Sequence, residues 1–101
     1  MASNLDFVQY VADQCSGAGE MGVRKMFGDW ALYCNGLTVG LICDNCLYVK
    51  QTEAGRGLLR EEMLRPPYPG AKPYFYIPDI DDREYVSAVV RATFRELSNK
   101  I

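Results

Sequence analysis

The chain has no histidine. That removes the commonest general acid and base near neutral pH, and the commonest zinc ligand outside all-cysteine sites. Any catalysis would rest on carboxylates, tyrosines or cysteines, and no acid–base constellation of those types is visible, so an enzyme is not expected. A basic excess is also missing: 11 Lys and Arg stand against 13 Asp and Glu, for a net charge of −2. A free-standing nucleic-acid binder neutralises phosphates and normally shows the opposite balance. Direct nucleic-acid binding is therefore not expected. No apolar run approaches the ~20 residues of a membrane span, and Met1 to Val11 carries acidic and polar residues at short intervals, unlike a secretory leader. The expectation is a cytoplasmic protein without a membrane partner, in which the four cysteines are free thiols. Repeats, low-complexity tracts and linkers are absent from the sequence as well.

What is present suits a globular domain: 101 residues, 49% apolar and 24% charged. This length buries a modest core without disulfides or metals, and one domain over residues 1–101 is expected. Ser3 to Cys15 places Leu5, Val8, Val11, Ala12 and Cys15 on one face of a helix. Ser3 or Asn4 would cap it, and Gly17 and Gly19 would stop it. Four strands follow, over Val23–Phe27, Trp30–Cys34, Leu37–Cys43 and Cys46–Lys50. Gly28-Asp29 bends the first pair. Asn35-Gly36 is a strong type I′ hairpin signal, because both residues tolerate positive φ. Asp44-Asn45 is a second two-residue turn. A second helix is expected over Thr52–Leu64, although Gly55 and Gly57 each cost it roughly 1 kcal/mol relative to Ala. Residues 65–73 are proline-rich and read as a packed loop. Tyr74–Ile77 forms a last short strand. Asp81 and Asp82 cap a final helix with Val86, Val89, Val90, Thr93, Phe94 and Leu97 on its apolar stripe. The order is α-β-β-β-β-α-β-α. It predicts an α+β fold: an antiparallel sheet built on a β-meander, with flanking helices.

The two turns predict a register. Around the first, Cys34 faces Leu37, Leu32 faces Val39 and Trp30 faces Leu41; around the second, Cys43 faces Cys46, Ile42 faces Leu47 and Gly40 faces Val49. Alternation then divides the sheet. One face holds Trp30, Leu32, Cys34, Leu37, Val39, Leu41, Cys43, Cys46, Tyr48 and Lys50. The other, with Ala31, Tyr33, Thr38, Gly40, Ile42, Leu47 and Val49, is expected to meet the helices. Both faces are largely apolar, where a sheet with one wet face should alternate more cleanly. The uncovered face is therefore expected to meet a protein partner or a second copy of the chain. Arg24, Lys25, Trp30 and Tyr48 are the expected interaction residues.

Cys43-Asp44-Asn45-Cys46 is a C-x-x-C motif. It is readable as a redox pair or half a metal site, with Cys15 as a third thiolate. Cys34 falls roughly 20 Å from Cys43 along a strand and cannot share that metal. A thioredoxin-type motif opens a helix, where the dipole lowers the thiol pKa; this one flanks a hairpin turn. Packing cysteines are the expected reading, with no cofactor or metal, and a thiol sensor or metal binder is the alternative. Arg56, Arg60 and Arg65 alternate with Glu53, Glu61 and Glu62 and read as a solvated face. Asp79, Asp81, Asp82 and Glu84 lack the spacing of a calcium loop. Tyr68, Tyr74, Phe75 and Tyr76 read as core and loop packing rather than a base-stacking platform.

Arg24 with Met26-Phe27-Gly28, Leu32-Tyr33, Asn35-Gly36, Gly40-Leu41-Ile42, Asp44 and Leu47-Tyr48-Val49-Lys50 together resemble the N-terminal domain of the TfoX/Sxy family of bacterial competence regulators. Tyr74-Phe75-Tyr76-Ile77-Pro78 before a terminal helix extends the resemblance over nearly the whole chain. The resemblance implies a small α+β unit without assigned catalytic residues. In longer members a C-terminal helical domain follows, and they act with the cyclic-AMP receptor protein at promoters. For this chain it implies a single-domain, non-enzymatic regulatory or protein-interaction module, with a transcription regulator as the kind of partner. Asp29 and Ala31 depart from the glycines common at those positions, and Cys43 and Cys46 from the small or polar residues common around the second turn.

Overall fold

The computed structural model describes residues 3–26 and 28–100. Helix α1 spans Leu5–Gln14, and the Asn4 side chain accepts the Asp6 N–H at its start. That satisfies one of the donors a helix N-terminus leaves free. A 3₁₀ turn over Ser16–Ala18 leads into the sheet. Strands β1 (Met21–Met26), β2 (Asp29–Cys34), β3 (Leu37–Cys43) and β4 (Cys46–Val49) form the meander. Helix α2 (Glu53–Arg56), strand β5 (Leu64–Arg65), strand β6 (Tyr74–Ile77) and helix α3 (Arg83–Ser98) complete the chain. The expected end of the first strand at Phe27 lies outside the described residues.

All pairings are antiparallel, in the order β1-β2-β3-β4-β6-β5. The architecture is the α+β arrangement predicted. Asn35 and Gly36 both take positive φ, 50° and 83°, and Asp44 and Asn45 take 50° and 56°. Both turns are thus the left-handed kind that suits the right-handed twist of paired strands.

The register around the second turn is as expected: Cys43 opposes Cys46, Ile42 opposes Leu47 and Gly40 opposes Val49. Around the first turn it holds for Cys34 and Leu37, then slips. Tyr33 opposes Thr38 but Leu32 opposes Gly40, which leaves Val39 as an extra residue on β3. The carbonyl of Val39 accepts the Lys50 N–H at 2.9 Å, so the bulged residue keeps a backbone partner. One extra residue exchanges the two faces of everything beyond it. The predicted pairs Leu32–Val39 and Trp30–Leu41 are therefore corrected to Leu32–Gly40 and Trp30–Ile42. The small pair Ala31 and Gly40 no longer shares a face, since Ala31 opposes Leu41.

The core follows this corrected register. Leu32, Cys34, Val39, Ile42, Leu47, Val49, Phe75 and Ile77 meet Val8, Val11 and Cys15 of the first helical segment and Val86, Val89 and Val90 of α3. Burying a valine or leucine fully is worth about 1.5–3 kcal/mol, so this one layer carries most of the hydrophobic drive. Gly40 matters for a different reason. A Cβ there would lie 2.2 Å from the Tyr48 carbonyl oxygen, so β3 and β4 approach closely only because the side chain is absent.

The second helix is shorter than the sequence suggests. Thr52 caps it by accepting the Gly55 N–H at 3.0 Å, and the Glu96 carboxylate from α3 accepts the Ala54 N–H at 2.9 Å. One turn later it ends. Beyond Gly57 only Leu59 packs against the core, while Leu58 and Leu64 are exposed. A stretch weakened by two glycines and burying little has nothing to keep it helical. Leu64–Arg65 instead pairs with Phe75 and Tyr74 as an edge strand.

Candidate functional site

Helices α1 and α3 lie on one side of the sheet, because the buried cluster that includes them draws on one side of β2, β3, β4 and β6, and Gly55 of α2 lies against Phe75 on that same side. The other side is built by the alternate residues. From β1 across to β6 one row reads Arg24, Ala31, Leu41, Tyr48 and Tyr76, each opposite the next. Tyr33 flanks Ala31 on β2, and Tyr74 flanks Tyr76 on β6. Arg65 of β5 opposes Tyr74.

The arginines and tyrosines of this side are organised in stacks. The Arg24 guanidinium carbon lies 5.9 Å from the centre of the Tyr33 ring, and that of Arg65 lies 4.3 Å from the Tyr76 ring. Tyr76 and Tyr48 rings meet at 5.7 Å between centroids. Guanidinium-over-ring contacts hold a cation's stem against an apolar surface and leave its N–H edge outward. Neither Arg24 nor Arg65 has a carboxylate partner among the described residues. The other arginines of the second segment do: Arg56 pairs with Glu53 and Glu62, and Arg60 with Asp82. The predicted solvated face of Arg56, Arg60 and Arg65 is thus divided between two sides of the molecule.

Two hollows open on the same side. One, of about 320 Å³, lies along the β1 edge and is lined by Glu20, Gly22, Arg24, Tyr33 and Gly36, with Met21 and Val23 between them. The other, of about 340 Å³, is lined by Lys50, Gln51, Lys72, Pro73 and Tyr74. Each combines a tyrosine with one or two cations.

The four expected interaction residues are divided by the bulge. Arg24 and Tyr48 belong to the open side, Arg24 exposed and Tyr48 buried at 8%. Trp30 packs against the core on the helix side, and Lys25 opposes it, exposed at the sheet edge. Tyr33, Leu41, Tyr76 and Arg65 were not among them. The alternation in Tyr74-Phe75-Tyr76-Ile77 is the signal that separates Tyr74 and Tyr76 from the buried Phe75 and Ile77.

The cysteines fall on both sides. Cys43 and Cys46 oppose each other on the open side. Cys15 and Cys34 lie together in the core, so the structure does not bring Cys15 to the C-x-x-C pair. All four are free thiols. Burial pushes the Cys15 thiol up to about 12, with the neighbouring Cys34 adding to it. Burial, and then Asp29, push Cys43 up to about 11. Thiolate, not thiol, is the nucleophile and ligand, so both groups are held in the inert form at neutral pH. Among the described residues no three His, Cys, Asp or Glu side chains are placed to share a metal ion. Burial also raises Tyr48 to about 12, helped by the adjoining Cys46.

The acidic cluster serves the scaffold. Asp82 caps α3 by accepting the Tyr85 N–H and binds Arg60, whose guanidinium holds its carboxyl below the usual range. Asp81 accepts the Tyr10 hydroxyl at 2.5 Å. Among the described residues no helix is long and apolar enough to cross a membrane.

Comparison with known proteins points in one direction. The family model described as TfoX N-terminal domain matches residues 13–97. An uncharacterized 12.7 kDa protein in the trpE 5′ region of Spirochaeta aurantia is 38% identical over 80 residues, which is 79% of this chain and 70% of that protein.

Proposed function

This chain belongs to the TfoX N-terminal domain family, and from that premise we propose that it is a non-enzymatic regulatory module acting through contact with another protein. One observation carries this reading: the helices cover a single side of the sheet and leave a broad side lined with arginine and tyrosine. Those two residue types are enriched at the energetic centres of protein interfaces. The described side chains offer no nucleophile paired with a base, and the raised Cys43 thiol gives little support to the alternative of a thiol sensor or metal binder. The family resemblance makes a transcription regulator the first partner to try.

The test is crosslinking in cells, reciprocal capture, and reconstitution of the purified pair in a sedimentation experiment. The expected result is a stoichiometric complex with one protein. Turnover of a small molecule by the purified chain, with no such complex, would overturn the reading.

A further inference from the structure

Resting on that reading, we propose that the open side of the sheet docks an acidic segment of the partner protein, whose carboxylates are taken by Arg24 and Arg65. The charge on this side carries the inference. Arg24 lies on β1 at one edge, Arg65 on β5 at the other, and Lys50 and Lys72 line the hollow beside Tyr74. The acids near them are few. Asp29 already accepts the N–H groups of Ser3 and Asp44, and Glu20 is the one carboxylate that lines the hollow with Arg24. The chain as a whole carries net charge −2, so this basic side is a local reversal of the overall sign. A planar guanidinium fixed on a ring presents its donors in the fork that a carboxylate fits bidentately.

Size agrees. From Arg24 on β1 to Arg65 on β5 are five strand spacings, about 24 Å, the reach of roughly seven extended residues. A short extended segment therefore crosses the side from hollow to hollow.

Two other occupants fit less well. In a symmetric pair of copies meeting through this side, the patch would face itself, and cationic edges would meet cationic edges. Single-stranded nucleic acid binds such sheets by stacking bases on open rings. Here the Tyr33 and Tyr76 faces are taken by arginines and Tyr48 is buried.

The probe is a synthetic peptide of alternating Glu and Ser, titrated into the isotope-labelled protein while backbone amides are followed by NMR. Shifts are expected at Gly22, Arg24, Tyr33, Leu41 and Tyr76. The double variant Arg24→Gln with Arg65→Gln should keep its fold by amide spectrum and lose at least about tenfold in affinity. Arg95→Gln, an exposed cation on α3, should bind the peptide as the parent does. Equal loss in Arg95→Gln, no shifts at all, or shifts confined to the helix side would overturn the proposal. So would oligothymidylate binding the same amides as tightly, or self-association that the double variant abolishes. A reconstituted partner complex that survives the double variant sinks this surface and leaves the interaction-module reading standing; failure of the parent protein to form any such complex sinks both.

Discussion

Leu32, Ile42, Leu47 and Phe75 on the helix side of the sheet are wholly withdrawn from water. On the open side, one residue along each strand, the row runs through Arg24, Leu41 and Tyr76, and only Ala31, Cys43 and Tyr48 are buried. The same five main strands thus carry two different tasks on alternate residues. The helix side is apolar in every position that α1 and α3 reach, and it holds the fold together. The open side is apolar in composition too, but its rings are capped by cations rather than helices. Hydropathy alone does not distinguish the two, since tyrosine and leucine both count as apolar. What distinguishes them is which polar groups come with the rings.

The contrast is broken most severely from the helix side. Phe75→Ala removes a fully buried ring and should cost about 3–5 kcal/mol, read as a lower midpoint in urea. Gly40→Ala attacks the layer between the two sides, since its Cβ would meet the Tyr48 carbonyl. It should cost about 3 kcal/mol and weaken amide protection in both β3 and β4. A Gly40→Ala protein as stable as the parent would mean that the β3–β4 contact is looser than described.

Alkaline pH sharpens the comparison without mutation. Cys15 on the helix side and Cys43 on the open side are both raised above the ordinary thiol value of 9.0. A raised value means that folding favours the neutral thiol. The stability it contributes is complete below pH 9 and is lost as pH climbs through the folded values of about 12 and 11. Denaturant midpoints should therefore fall on alkalinisation, and Cys15→Ala should flatten that fall more than Cys43→Ala. Thr52→Ala removes the cap of α2 and should cost about 1 kcal/mol, measurable in the same melts. Smallest of all, Arg24→Gln on the open side should shift stability by less than about 0.5 kcal/mol. A large loss there would make Arg24 a structural residue and blur the division.

Much of this was legible in the sequence. The turns at Asn35-Gly36 and Asp44-Asn45 declare themselves, because positive φ restricts the choice of residue. The first and last helices follow from periodic valines and from caps at Asn4 and Asp82. The bulge did not show. Leu37-Thr38-Val39-Gly40-Leu41-Ile42 alternates no better in one register than in the other, and nothing local marks Val39 as extra. The choice is made by the packing of Leu32 and Val39 together under the helices, which is tertiary. The open side is hidden for the same reason: with the register slipped by one, Trp30 takes the place of Ala31 and Tyr33. The short α2 was hidden too, because its anchor, Glu96, lies about forty residues away on α3.

The extra residue at Val39 also sets how this chain tolerates insertions and deletions. In most surface loops losing one residue is absorbed by slack. At Val39 the bulge itself is the slack: deleting that residue leaves Cys34–Leu37, Tyr33–Thr38, Leu32–Gly40 and Ala31–Leu41 as an unbroken ladder with the same faces, and removes one buried side chain from the core. A further deletion between Thr38 and Cys43 finds no such residue to absorb it and exchanges the faces of β1 and β2 relative to β3. The bulge is a reserve of length within a strand that otherwise has none.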